Sequence, residues 1–455
     1  MTLDIMRYLE IPLPEDVEKA KWCGDFDRAQ RLIDRKLREA KLPFAAQKRL
    51  ELEREILKRM RLDYCYSEEE GLHILQEHIP DFTREELQDL EDSSAIDWIY
   101  VNGKPHFCSR FYDTLIKVYP DIAKRAGEPI SEENKEIQLL NDVIAEMQQQ
   151  GFAARKIHLR AGFQIADSAF RPGEPLMVHL PIPTPAVNMR DIRILSSQPE
   201  GGYLAPENAG QRTICFTCAP TENKPFTVEY EYVSRADYHV LDPDMVSLLQ
   251  PDFDTQEQAP HIRFTPFIKA LCQELSAGEQ NPLKLARRFY DYCTTAVTYS
   301  YMREYFTLTQ IPEYAGLNLK GDCGVQALLF ITLCRCAGIP ALWQSGLYVT
   351  PYDQSSHDWA QFYVAPFGWL FADPSFGGSA YRAGNKVRHD HYFGNLDPYR
   401  MAANSQFQWE FDPPKKQLRC DPYDNQSGEA EYPDRNLTVE EFTRTLELIS
   451  MEPAE

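Results

Sequence analysis

The period of the apolar residues changes along this chain of 455 residues, and one layer of secondary structure cannot satisfy both periods. Over 1–152 the period is helical. Ala29–Leu37 and Gln47–Leu62 repeat apolar residues at three and four, with Glu55 four residues before Arg59. Ser67-x-x-Glu70 and Thr83-x-x-Glu86 read as capping boxes that start short helices. Asn102-Gly103 within Trp98–Phe107 predicts a tight hairpin turn, and a helix over 132–150 is expected to stop at Gly151 in a left-handed cap. The segment 1–152 is therefore read as a helical module with one β-hairpin.

Over 153–250 the period is two. Lys156–Ala166, Leu176–Pro183, Ile192–Ser197, Thr213–Ala219 and Phe226–Val233 are separated by Pro and Gly clusters, which predicts an antiparallel β-sandwich with Phe226, Val228, Tyr230 and Tyr232 on one face. Cys215 and Cys218 lie three apart on one of these strands and so point to opposite faces, which suits buried strand cysteines better than zinc. Residues 251–425 mix both periods. The remainder, 426–455, reads as a tail in which Thr438-x-x-Glu441 is expected to cap a short helix ending near Met451. The fold class expected is multidomain α+β.

Charge narrows the partners. Sixty-nine acids against 48 bases give a net charge of −21, and a surface of that sign repels phosphate backbones and anionic lipid. Helices followed by a hairpin invite a winged-helix reading, but 68–92 hold ten acids and one arginine, Arg84. Neither nucleic acid nor membrane is expected as a partner; a peptide or protein substrate is. The longest apolar run, Ala327–Leu333, is interrupted by Thr332 and far too short for a span. The first residues lack the basic and apolar regions of a secretory leader. Eleven cysteines, an odd number without a repeated framework, suit reduced thiols and a cytoplasmic location. No cofactor and no metal are expected; His389 and His391 would share one face of a strand, but a third ligand is not evident.

The densest signals lie in 321–340. Val325, Leu328, Leu329, Thr332, Leu333 and Cys336 fall on one helical stripe, with Gly338 and Pro340 placed to end it. The helix begins at Cys323, where the dipole and free N–H groups favour a thiolate, opposed somewhat by Asp322 at the N-cap. Downstream, Ser356–Val364 and Trp369–Pro374 form a predicted hairpin with His357 at its entry and Asp373 at its exit. If Val364 faces Trp369, Asp373 falls opposite Ala360, so a bulge or an imidazole swung along the edge is needed to join it to His357. Thiol, imidazole and carboxylate are the groups that acyl transfer requires. Tyr299 and Tyr301 are phenolic candidates for an oxyanion donor, and Trp359 for a cleft wall that shields the imidazole.

Gly321-x-Cys323-Gly324, Arg335-x-Ala337-Gly338-Ile339-Pro340-Ala341, Gly346, His357-x-Trp359, Gly368-Trp369 and Asp373-Pro374-Ser375 resemble the core of the transglutaminase-like superfamily, in its bacterial cysteine hydrolases. The intervals of 34 residues from Cys323 to His357 and 16 from His357 to Asp373 are similar to that family's compact triad order. The resemblance covers about 255–400, extends loosely to the strand-rich block, and does not reach the helical N-terminus. It implies a papain-like α+β catalytic domain over 251–425, with Cys323 as nucleophile, His357 as general base and acid, and Asp373 as orienter. Neither the calcium-loop pattern of the cross-linking members nor the paired C-x-x-C of the deglycosylating ones is present. An amidase or peptidase working through a thiol acyl-enzyme is the resulting expectation. A protein-glutamine acyltransferase with the same residues and a non-catalytic peptide- or glycan-binding protein are the alternatives.

Overall fold

The computed structural model describes residues 3–39, 41–128, 134–247 and 249–455. In the N-terminal part the local signals act as expected. Ser67 and Thr83 each accept from the backbone three residues on, while Glu70 and Glu86 reach back to the cap. Asn102 and Gly103, at φ 50° and 81°, turn Trp98–Val101 onto Lys104–Phe107. The helix Lys135–Gln150 is capped by Asn134 and ends on Gly151 at φ 81°; positions 132 and 133 of the expected helix lie outside the described residues.

Two four-stranded sheets form the sandwich. One runs in the order Phe442–Pro453, Phe152–Ile165, Phe226–Asp237, Met189–Gln198; the other in the order Glu429–Glu431, Leu176–Pro181, Thr213–Cys218, Tyr203–Leu204. Phe226, Val228, Tyr230 and Tyr232 are all buried between them. The C-terminal segment thus corrects the expected helix: its capping box is present, but only one 3₁₀ turn, Val439–Glu441, follows before Phe442–Pro453 pairs along Phe152–Ile165. The reason is tertiary. Thr443 and Thr445 are β-branched, Phe442, Leu446 and Leu448 alternate inward, and an open sheet edge satisfies the backbone that a lone short helix would leave to water.

The third sheet is the middle layer of the molecule. Its order is Phe393–Gly394, Gly368–Ala372, Gln354–Val364, Ala341–Val349, Arg400–Asn404, with antiparallel neighbours. One face receives the helix Cys323–Cys336, with Phe330 edge-on to Phe362 at 5.6 Å. Leu347, Val349, Trp359 and Met401 belong instead to the core of the sandwich. The expected stripe on the helix is buried apart from Cys336, which is half-buried, but so is the rest of it, from Gly324 to Arg335. Gly346 is required where strands 341–349 and 400–404 meet, since a Cβ there would lie 1.9 Å from the Met401 carbonyl oxygen.

The first helices share this core: Leu50, Ile56 and Leu57 lie in one hydrophobic cluster with Leu328 and Phe330, whereas Leu75, Phe107 and Phe111 form a separate one. A polar seam adds to the junction. Arg59 is 2.5 Å from Glu304 and 4.5 Å from the Phe306 ring, Tyr64 donates to Asp97 at 2.6 Å, and Lys320 reaches Asp97 at 3.0 Å.

Candidate active site

Cys323 opens its helix behind Asp322, whose carboxylate accepts from the Val325 N–H at 3.1 Å as N-cap. Gly321 pairs in parallel with Tyr299, which brings that phenol to the helix start. A cavity of about 800 Å³ opens there, lined by Cys323, His357, Asp358, Tyr299 and Tyr301 among others. The N-terminal module holds the two tyrosines: Arg110 stacks on the Tyr301 ring at 3.6 Å, Lys117 sits 4.4 Å from that of Tyr299, and the Tyr301 N–H donates to Thr114 at 3.1 Å.

The hairpin is present with its register one residue from expectation: Val364 pairs with Gly368 and Ala360 with Ala372. No bulge joins His357 to Asp373. The chain leaves the sheet after Ala372, Asp373 becomes the N-cap of the helix Pro374–Arg382, and the imidazole reaches it past the strand end, Nε2 to Oδ2 at 2.7 Å. Arg400, fully buried, lies 2.9 Å from the same carboxylate and 2.6 Å from Asp397.

Strand parity then separates His357 from Cys323. Ala360 and Phe362 face the helix, so Asp358 does too, and its Oδ2 is 3.2 Å from Cys323 Sγ. His357 shares the other face with Trp359, which stacks beneath it at 5.9 Å. Trp359 is fully buried and its indole N–H donates to Gln344 at 2.6 Å. The structure thus joins His357 to Asp373, sets Cys323 in the same cavity, and hydrogen-bonds the thiol to Asp358 rather than to the imidazole.

Residues 269–374, which contain Cys323, His357 and Asp373, match the transglutaminase-like superfamily. That match places a transglutaminase-like core in this segment of the chain. Among solved structures it is similar to a candidate cysteine protease from Cytophaga hutchinsonii, at 14% identity over 67% of this chain and 90% of that one, with a TM-score of 0.38. It is also similar to the periplasmic domain of TgpA from Pseudomonas aeruginosa, at 14% identity over 55% of this chain and 96% of that one, with a TM-score of 0.29. No curated protein matches it.

The electrostatics of this transglutaminase-like core differ from a bare helix start. Burial, then Asp358 and Asp322, push the Cys323 thiol well above its ordinary range, so two carboxyls and desolvation outweigh the dipole that was expected to favour thiolate. Burial and the neighbouring Asp322 and Asp421 lift Asp358 to about 7, against hydrogen bonds from Asp424 and the thiol. Burial also lifts Asp322 to about 6, and Asp421 and Asp424 rise further. Burial acts upward on Asp373 as well, but His357 and Arg400 outweigh it and hold that carboxyl at about 2. Burial lowers His357 despite Asp373.

Asp358, Asp421, Asp424 and Arg400 escape a sequence reading. Asp358 had one available signal, its parity against Ala360 and Phe362 on a strand packed under the Cys323 helix. Asp421 and Asp424 arrive from a loop about 100 residues after Cys323 and carry no local signal. His389 and His391 lie on a short helix, Lys386–His391, and not on a strand; His389 Nε2 meets Thr294 Oγ1 at 3.0 Å. Among the described residues no group of three or more His, Cys, Asp or Glu is arranged to hold a metal ion.

Proposed function

We propose that the chain is a cysteine hydrolase of peptide-like amides, with Cys323 as nucleophile, His357 as general base and acid, and Asp373 as orienter. The observation that carries this reading is the 2.7 Å contact of buried Asp373 with His357, an imidazole that lines one cavity with Cys323. Asp373, ionised and paired with Arg400, only accepts, so Nε2 of His357 carries the proton of that bond and Nδ1 is left to receive one. With both thiol and imidazole neutral, the pair works by base-assisted attack and not as a preformed ion pair. Sγ leaves Asp358 and rotates toward the imidazole. It bonds to the amide carbon while its proton passes to Nδ1 and then to the departing amine, and water releases the acyl group by the reverse proton route.

The test is turnover of a fluorogenic peptide-amide library, with intact-mass detection of an acyl adduct. Cys323→Ala and His357→Ala are each expected to lower the rate by about 10³-fold or more, with the adduct mapped to Cys323. Full activity in Cys323→Ala, or neither turnover nor adduct in the unaltered protein, would sink the proposal and favour a binding protein on this fold. The acids around the thiol supply a specific reason to weigh acyl transfer to a cationic amine. Added amine diverting the acyl group faster than water releases it would show that outcome.

A further inference from the structure

Seven arginines of the described residues are buried, and six of them have protein partners. Arg49, Arg59, Arg400 and Arg419 pair with carboxylates, and Arg212 and Arg335 donate to backbone carbonyls. Arg388 is the exception. It is 3% exposed and lines the 800 Å³ cavity. Its Nη1 is fully buried with no hydrogen-bond partner, and its guanidinium makes no ion pair among the described residues. A buried guanidinium loses its hydration without return unless something arrives to pair it.

Arg382 and Arg444 also line the cavity without an ion pair to a carboxylate among the described residues, as do Lys117 and Arg303, which meet the Tyr301 and Tyr64 phenols. Arg382 is exposed there, and Arg444 donates to Ser356 Oγ at 2.6 Å, one residue before His357, and to the Gln426 carbonyl at 3.0 Å. Glu136 and Asp353 also line the cavity. Burial pushes the Glu136 carboxyl up, and it makes no ion pair with Arg388, so the guanidinium is left short of a counter-charge. Two acids nearby disfavour a dianion such as phosphate and leave room for one negative charge.

From the unpartnered Arg388 guanidinium, in a cavity that Arg382 and Arg444 also line, we infer that the wall at Arg388 is a subsite for a substrate carboxylate. The inference rests on the proposed function, since it makes the scissile amide part of a short peptide bearing either a free C-terminus or an acidic side chain. Arginine suits the task because its planar fork binds a carboxylate with two parallel hydrogen bonds.

Binding is measured by calorimetry on Cys323→Ala protein, so that turnover plays no part. The probes are three N-acetyl tripeptides: one with neutral side chains and a free C-terminus, its C-terminal amide, and that amide with one glutamate. At least one carboxylate-bearing peptide is expected to bind about tenfold more tightly than the neutral amide, the scale of one charge-assisted contact, with the margin shrinking as salt rises. Which acid wins distinguishes a C-terminal from a side-chain source. Arg388→Gln should abolish the preference and Arg388→Lys should retain part of it. Equal binding of all three peptides, no binding of the acids at millimolar concentration, or a preference that survives Arg388→Gln would overturn the subsite. If Arg388→Gln fails to fold by its melting curve, Arg444→Gln must reduce the preference, or the subsite is rejected. A preference found in a protein that cleaves nothing would sink the hydrolase reading and leave the subsite standing.

Discussion

Asp358 sets the resting state of Cys323. It lies on the helix-facing side of its strand with Oδ2 3.2 Å from the sulfur, and Gln426 donates to its other oxygen. With its carboxyl at about 7, it is mostly ionised at pH 8 and opposes loss of the thiol proton there. Asp358→Asn removes that charge and keeps the shape. Iodoacetamide labelling of Cys323 at pH 8, followed by peptide mass mapping, is expected to speed up about tenfold, the effect of one unit of thiol pKa. An unchanged or slower rate would show that burial, and not Asp358, governs the thiol. Cys323 and His357 are legible in the sequence because the helix start and the hairpin are local signals. Their separation by strand parity is not, since it depends on which face of the sheet the helix covers.

At the scale of elements, the C-terminal strand Phe442–Pro453 closes a sheet begun nearly 300 residues earlier and carries Arg444 to the cavity. Ending the chain after Glu441 would leave Phe152–Ile165 with a bare edge along its whole length and uncover the alternating Phe442, Leu446 and Leu448 contacts. The shortened protein is expected to unfold at lower temperature and to aggregate at micromolar concentration, read by thermal melting with light scattering. A truncated chain that melts like the full one would mean that the strand adds nothing to the sandwich. The capping box at Thr438 forms in the structure, so that signal was valid over one turn. What followed was decided by the waiting sheet edge.

For the whole molecule, the buried acids predict an inverted pH response. Glu304 is lifted to about 8, Asp358 to about 7, and Asp63 and Asp322 to about 6, each mainly by burial. Between about pH 4 and 8 the folded chain binds more protons at these sites than the unfolded chain, so their contribution to stability falls as pH rises through that window. Asp373 acts the other way. Held at about 2, it contributes stability that is present above its ordinary 3.8 and is lost as pH falls through 2. Glu429, also held at about 2, acts like Asp373, and burial lowers His179 and His261 to about 3 and His391 to about 4, so these imidazoles add stability as pH rises toward their ordinary 6.5 and offset the acids below it. Above about pH 6.5 the imidazoles are neutral in both states while Glu304 and Asp358 still titrate, so the melting temperature is expected to drop from pH 6.5 to 8. A melting temperature that climbs from pH 6.5 to 8 would contradict this, and Asp358→Asn should flatten part of the decline.

By itself the sequence determined the local and periodic features: both N-terminal capping boxes, the Asn102-Gly103 turn, the sandwich face from Phe226 to Tyr232, and the helix start at Cys323. All of these are written within a few residues of one another, where short-range hydrogen bonding and side-chain period act. Only the tertiary structure decided that 442–453 pairs as a strand, that Asp358 faces the thiol while His357 turns to Asp373 and Arg400, and that Asp421, Asp424 and Arg388 converge on one cavity. Those outcomes depend on which surfaces remain unburied and which charges remain unpaired once distant segments meet, and such information exists at no single position along the chain.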